Sequence, residues 1–209
     1  MNIKEAYNSW ANQYDSNVNK TRDLEGISLR KMLKEVNFGN CLEIGCGTGK
    51  NTEWLSTQCS ALLAIDFSDE MLAKAKSKIG SHHVEFLKAD ITMDWTFTYK
   101  KFDLVVFSLV LEHVEHLDMV FKKVADVVNI GGYVYIGELH PFKQYSGSKA
   151  SFETTSGKQF LTCFNHHVSD FTIAAGNNGF EITFINEWFD NDDRYTIPRI
   201  LTLLLRKRI

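Results

Sequence analysis

The chain has 209 residues, 44% of them hydrophobic and 23% charged, with a net charge of −3 at pH 7. That balance suits one globular domain with a sizeable core, and the acidic pI of about 6.2 argues against the basic footprint of a DNA-binding surface, so no DNA partner is expected. The longest apolar run, LVVFSLVL at 104–111, is too short to span a bilayer, and the polar start MNIKEAYNSW lacks the apolar core of a signal peptide, so a cytoplasmic protein without a membrane span is expected.

Cys41, Cys46, Cys59 and Cys163 show no CxxC spacing. Free thiols are expected, and no metal. Along the chain, residues 3–36 read mostly helical, with Tyr7, Trp10, Ala11 and Tyr14 at the three-to-four spacing of a helix face. A strand at 40–44 leads to a helix at 49–58. A second strand at 61–65 leads to a helix at 69–79, with Ser68 as its N-cap. A third strand at 83–88 ends near Asp90, and a fourth at 102–107 precedes a helix at 116–129. Gly131-Gly132 then turn the chain into a fifth strand at 133–139. Strands alternating with helices argue an α/β fold with a doubly wound, mostly parallel sheet, whose strand ends form the ligand crevice.

The rhythm then breaks. Residues 140–167 carry neither helical nor alternating periodicity, and 168–178 suit a short helix. GFEITFINEW and PRILTLLLRKRI read as two strands with no helix between them, hence an antiparallel pair joined by an acidic loop. The Arg206-Lys207-Arg208 cluster reads as the solvated end of the last strand. One domain over 1–209 is expected, with N-terminal lid helices at 1–36 and an acceptor-side insertion at 140–167.

The chemistry concentrates at the strand ends. CLEIGCGTGK at 41–50 reads as a strand that stops at a glycine loop opening a helix, where residues without Cβ let the backbone approach a bulky ligand. About twenty residues on, ALLAI ends at Asp66, placed to accept two hydrogen bonds from a ribose diol. A dinucleotide site needs Gly-x-Gly-x-x-Gly. Here the pattern is Gly-x-Gly-x-Gly, and Lys50 stands where that motif needs a small residue. Glu43, two residues before the first glycine, suits a ligand with an ammonium group.

ExGxGxG resembles the first motif of the class I S-adenosylmethionine-dependent methyltransferases, and YNSWANQYD resembles the helix that folds over the cofactor in their small-molecule group, which includes quinone-biosynthesis enzymes. The resemblance covers about residues 5–139. It implies a Rossmann-like seven-stranded sheet of order 3-2-1-4-5-7-6 with the last strand antiparallel. It also implies S-adenosyl-L-methionine as cofactor, S-adenosyl-L-homocysteine as product, and a small-molecule acceptor. Gly45 and Gly47 would approach the methionine part and ribose, Asp66 the ribose hydroxyls, and Phe67 the adenine face. Asp90 would accept the adenine amine and the Ile91 amide would meet a ring nitrogen, with Ser108 under the sulfonium. Tyr14, Cys46, Thr48 and Met71 complete the implied cofactor set.

A general base is needed only if the acceptor must lose a proton, and three histidines are candidates. His113 follows the fourth strand in LEHVEH, His140 follows the fifth in GELHPF, and His166-His167 open the next helix in a run resembling the HHxxxDYxxxLxxAGF region of small-acceptor enzymes. Either of the last pair could reach the acceptor pocket, and His167 joins His113 and His140 as a candidate. Tyr145, Phe152, Phe160 and Phe164 could line an aromatic acceptor cavity or simply pack the insertion. The chain has FSLV after the fourth strand, not the Asn-Pro-Pro-Tyr-like motif of nucleic-acid methyltransferases. Transfer to oxygen or nitrogen of a small molecule, by a monomer or homodimer, is expected. A nicotinamide-dependent oxidoreductase and a non-catalytic binding module are the rival readings.

Overall fold

The computed structural model of the protein describes residues 7, 8, 11, 14, 18–154 and 157–208. Trp10 and much of the N-terminal helical segment lie outside the described residues, although Tyr7, Asn8, Ala11 and Tyr14 are helical. The first fully described helix, α1, spans Lys20–Leu33, and the Asn19 side chain caps it by accepting the Arg22 N–H at 3.0 Å.

The central sheet is built from β1 (Asn40–Ile44), β2 (Ala61–Asp66), β3 (Val84–Lys88), β4 (Phe102–Ser108), β5 (Val128–Leu139), β8 (Phe180–Trp188) and β9 (Ile200–Lys207). Its order is β3-β2-β1-β4-β5-β9-β8. β1 to β5 pair in parallel and β8 points the same way, whereas β9 is antiparallel to both of its neighbours. A separate two-stranded sheet, β6 (Ser151–Thr154) with β7 (Gly157–Phe160), accounts for the two numbers missing from the main order. It carries no readable periodicity in the sequence, and its described positions Gly157, Gln159 and Phe160 are exposed, so they show no buried face to enforce alternation. The fifth strand also begins earlier than Gly131-Gly132, at Val128, and the pairing of β4 with β5 shifts register between Phe102 and Leu104.

The inner strands β1, β2, β4, β5 and β9 are apolar because both of their faces are covered. On one face, α1 and α2 (Lys50–Ser56) pack Leu29, Leu33 and Leu55 against Leu62, Leu104, Val106, Tyr135 and Leu204. On the other, α4 (Leu117–Val127) and α6 (Val168–Asn177) cover Leu42, Ile44, Val105, Phe107, Ile136 and Leu203. In α4 the residues Leu117, Val120, Phe121, Val124 and Val127 form one buried stripe. Helix α3 (Asp69–Lys78) lies beside β2, its first turn capped by Ser68, which accepts the Met71 N–H at 3.2 Å. Helix α5 (Pro141–Tyr145) is a single short turn after β5. Because the chain steps from β1 to β2 on one side and to β4 on the other, the strand C-terminal ends open into a crevice between them.

Candidate active site

A cleft of about 870 Å³ occupies that crevice. Its floor is the loop after β1, where the Gly45 and Cys46 N–H groups both donate to the Ile65 carbonyl, at 2.8 and 2.9 Å. Gly45 has φ +71°, and a Cβ there would lie 2.3 Å from Val110 Cγ2. Gly47 has φ +54°, and a Cβ there would meet nothing within 4 Å. The first glycine is therefore demanded by packing against the loop after β4. The second leaves open the space beside the backbone.

Asp66 lies across this loop at the tip of β2. Its Oδ2 accepts the Gly47 N–H at 2.9 Å and its Oδ1 accepts the Ser68 N–H at 2.8 Å. Burial pushes its carboxyl up to about 6, against those hydrogen bonds. A carboxylate offers about four lone-pair positions, so acceptor capacity is left over for a diol. Past β3, Asp90 accepts the Thr92 N–H at 2.9 Å and the Thr92 hydroxyl at 2.6 Å, an Asx-type turn that sets the loop. The carbonyl of Ile91 is gripped by Trp95 Nε1 at 3.0 Å and by the Lys123 ammonium at 3.3 Å, and that ammonium also reaches the carbonyls of Thr92 and Met93. The far end of the cleft follows β4, where Leu109 is held at φ +56°, an uncommon conformation for a branched residue.

The cleft brings together ten of the residues expected from sequence: Tyr14, Gly45, Gly47, Asp66, Phe67, Met71, Asp90, Ile91, Ser108 and His113. Five stand elsewhere. Glu43, expected to face a ligand ammonium, is buried behind the glycine loop and accepts the Thr52 hydroxyl at 2.5 Å. Cys46 and Thr48 are also buried, off the cleft wall.

His140 is the main departure among the histidines. Its Nδ1 accepts the Phe142 N–H at 3.1 Å, so Nε2 carries the proton and donates to Glu187 Oε1 at 3.0 Å. It is a buried cap on α5, and the Pro141 that follows occupies the first-turn position which signals such a cap. His140→Ala should strand the Phe142 N–H and the Glu187 carboxylate and cost about 1–2 kcal/mol. A thermal melt should fall by roughly 2–8 °C with cofactor affinity unchanged. Burial also holds the ring below the ordinary histidine range, opposed by Glu187. The folded state thus favours the neutral ring, and this part of the stability fades as pH falls through that lowered value.

His167 caps α6 instead of facing the cleft. Its ring contacts the Tyr145 hydroxyl, and its N–H donates to Asp170 at 2.7 Å. His166 is buried and donates from Nε2 to the Val114 carbonyl at 2.7 Å. Of the four aromatic residues considered for an acceptor cavity, Phe164 lines the cleft, Phe160 and Tyr145 are exposed, and the Phe152 side chain lies outside the described residues.

His113 faces the cleft with both ring nitrogens engaged. The Thr162 carbonyl can only accept, so Nδ1 carries the proton and donates to it at 3.0 Å. The lone pair of Nε2 then faces the Tyr7 hydroxyl, which donates at 2.8 Å. Burial and the nearby Tyr14 and Glu112 raise the Tyr7 hydroxyl well above its ordinary value, so Tyr7 stays protonated. The pair spans 106 residues of sequence, which is why sequence reading could name the partners but not their meeting.

A second arrangement went unanticipated. Glu25 on α1 is buried and accepts from Asn51 Nδ2 at 3.0 Å and from the Tyr135 hydroxyl at 3.1 Å. Asn51 Nδ2 also donates to Ser108 Oγ at 3.0 Å, so the N-terminal helix is hydrogen-bonded through to the cleft wall. Gly137 makes room for this, since a Cβ there would lie 2.6 Å from both Glu25 Oε1 and the Tyr135 hydroxyl. The signal was present in α1, where Glu25 falls on the same stripe as Leu29 and Leu33.

Burial pushes Glu43 and Glu138 up to about 8. Glu138 Oε1 accepts the Val110 and Leu111 N–H groups at 2.9 and 2.8 Å, which fixes the loop after β4. Folded-state values above those of the unfolded chain mean that their contribution is full below about pH 4.5 and lost as pH rises through 8. Melting of the ligand-free protein should accordingly occur at lower temperature at pH 8.5 than at pH 6.5, and Glu43→Gln should flatten part of that slope.

Residues 42–136 match the family described as a methyltransferase domain. The chain is 31% identical over 176 residues to a phosphatidylethanolamine N-methyltransferase of Cereibacter sphaeroides, a match covering 82% of each protein. The N-methyltransferase NodS of Bradyrhizobium japonicum WM9, solved with S-adenosyl-L-homocysteine, shares the fold with a TM-score of 0.74 at 19% identity over 99% of both chains. An S-adenosylmethionine-dependent methyltransferase of Mesorhizobium loti does so with a TM-score of 0.74 at 22% identity, over 88% of this chain and 98% of its own.

Proposed function

Since the chain belongs to the class I S-adenosylmethionine-dependent methyltransferases, we propose that it carries methyl from S-adenosylmethionine to an oxygen or nitrogen of a small-molecule acceptor. The observation that carries this reading is one cleft lined at one end by Asp66, Asp90 and Ile91 and at the other by Ser108 and the His113–Tyr7 pair. The fit of the cofactor is supported by the open space beside Gly47 and by the spare acceptor capacity of Asp66.

When bound, the cofactor supplies a methyl group activated by a positively charged sulfur. The protein's share is positioning, exclusion of water and handling of the acceptor's proton. Asp66 would hold the ribose hydroxyls, Asp90 and the Ile91 N–H the adenine edge, and Phe67 and Met71 the ring face. Tyr14 and Tyr7 would close over the ligand as part of a lid formed by the N-terminal helices, with residues 140–167 covering the acceptor side. His113 would take the proton at Nε2 through the Tyr7 hydroxyl, which passes its own proton on as it accepts the acceptor's, while its Nδ1–H stays fixed on Thr162.

Calorimetric titration with S-adenosylhomocysteine, run beside NADH, tests the reading. Micromolar affinity for the first and none for the second is expected. NADH binding would replace it with the oxidoreductase reading, and binding of the first without transfer to any acceptor would favour a binding module. Asp66→Ala should weaken S-adenosylhomocysteine binding by about 1.5–3 kcal/mol, the worth of hydrogen bonds to a charged group. Because diol donors favour the ionised carboxyl and burial holds it near 6, wild-type affinity should fall as pH drops through 6. The variant should lose that dependence, and a retained one would assign it to another group.

A further inference from the structure

The loops that form the cleft are not all anchored alike. The chain leaves β1 and β2 into α2 and α3, whose first turns fix the glycine loop and the segment after Asp66. No helix or strand follows β3: residues 89–101 run to β4 as turns and irregular chain. Yet Asp90, Ile91 and Thr92 line the cleft. An irregular segment has no hydrogen-bond ladder to hold its peptide groups, so a binding edge built on it needs fastening from elsewhere.

Lys123 supplies it from α4, beside that helix's buried stripe. Its ammonium donates to the carbonyls of three consecutive residues: Ile91 at 3.3 Å, Thr92 at 3.1 Å and Met93 at 2.8 Å. An ammonium has three N–H donors and no acceptor, so its whole bonding capacity is spent on this one turn. Trp95 Nε1 adds a second donor on the Ile91 carbonyl at 3.0 Å, and its ring stands 5.4 Å from that of Phe97. The turn itself is closed by the Met93 N–H on the Asp90 carbonyl at 3.2 Å and by the Thr92 N–H on Asp90 Oδ1 at 2.9 Å. Those bonds leave the Ile91 N–H without a partner among the described residues, and leave Asp90 Oδ2 outside the turn. A donor and an acceptor on adjacent residues complement an adenine edge, which offers a ring-nitrogen acceptor beside an amine donor.

We propose that Lys123 is a positioning residue for base selectivity: by holding the carbonyls of residues 91–93 from behind, it keeps the Ile91 N–H and Asp90 Oδ2 aimed together at adenine without touching the ligand. The inference rests on the methyl-transfer reading, in which those two groups meet the cofactor's base. Without the cation, three carbonyl dipoles converge on no donor and the turn relaxes away from that geometry. The Asp90 bonds that close the turn remain, so the loop persists while its aim broadens. Ribose recognition stands apart from this, because Asp66 is fixed by the Gly47 and Ser68 N–H groups on segments that Lys123 does not bond. Loss of Lys123 therefore weakens recognition of the base more than recognition of the rest of the molecule.

The test titrates the full chain with S-adenosylhomocysteine and with S-inosylhomocysteine, whose base carries a 6-oxo group and an N1–H in place of the amine and the bare ring nitrogen. The wild type should prefer the adenine form by about tenfold or more, because the inosine form sets acceptor against acceptor and donor against donor. Lys123→Met keeps an apolar stem on α4 but removes the ammonium. It should weaken the adenine form roughly sixfold and the inosine form less than about twofold, so that the preference falls about threefold or more. Trp95→Phe, which removes one donor from the Ile91 carbonyl and keeps a ring beside Phe97, should shift the preference the same way by about twofold. It carries the test if Lys123→Met does not melt cooperatively. Equal losses for both ligands in Lys123→Met, an unchanged preference in both variants, or a wild type that binds both forms alike overturns the proposal. Failure of S-adenosylhomocysteine itself to bind the wild type would instead strike the methyl-transfer reading, so the two failures are distinguishable.

Discussion

Gly47→Val is expected to abolish detectable binding of S-adenosylhomocysteine while the protein still folds. A Cβ at this position meets no protein atom within 4 Å, so the branched side chain projects into the ligand's volume without disturbing the core. The variant does incur backbone strain, because φ is +54° and a left-handed conformation costs about 1–2 kcal/mol for a residue with a Cβ. A chain of this size should then melt about 2–8 °C lower. The measurement pairs a melt with calorimetry. Normal affinity would mean that the loop does not cradle the cofactor. Gly45→Val is the informative contrast: its Cβ would overlap Val110, so the fold itself should suffer.

The second large effect concerns His113. His113→Ala should lower kcat by roughly 10²–10⁴-fold, the usual contribution of a positioned proton acceptor, with S-adenosylhomocysteine affinity little changed. Tyr7→Phe should give a smaller loss of the same kind, because it removes the hydroxyl bonded to His113 Nε2 but keeps the ring against Phe67. If kcat survives in His113→Ala and only the melting temperature falls, the ring serves to tie down Thr162 and the base lies elsewhere.

The sheet was legible because its strands are short apolar runs ending at Gly, Asp and Ser in regular alternation with helices. Gly45, Gly47, Asp66, Asp90 and Ser108 reach one cleft because each sits at a strand's C-terminal end, which alternation alone locates. Direction was not legible in the same way. His140 and His167 also sit at element ends, but each is turned into a helix cap by its neighbours: Pro141 and Phe142 for one, Asp170 for the other. Glu43 shows the same limit. Its place in the motif was clear, yet strand alternation sends it to the Thr52 side of the sheet, behind the loop. Contacts across more than a hundred residues, such as Tyr7 with His113 and Glu25 with Tyr135, arise from tertiary packing that local periodicity does not encode.

The hairpin of β6 and β7 pairs with itself and lends no strand to the main sheet. Its downstream continuation is fastened by main-chain hydrogen bonds, the Thr162 carbonyl on His113 and the Phe164 N–H on the Glu112 carbonyl at 2.7 Å, and presents the Phe164 ring to the cleft. Backbone docking of this kind tolerates changes of side chain and of length. The segment therefore has the properties of an exchangeable cassette. Grafting the corresponding stretch from a relative should alter which molecules are methylated while the sheet, the glycine loop and the cofactor's affinity carry over, so that acceptor range and cofactor use can diverge independently within one scaffold.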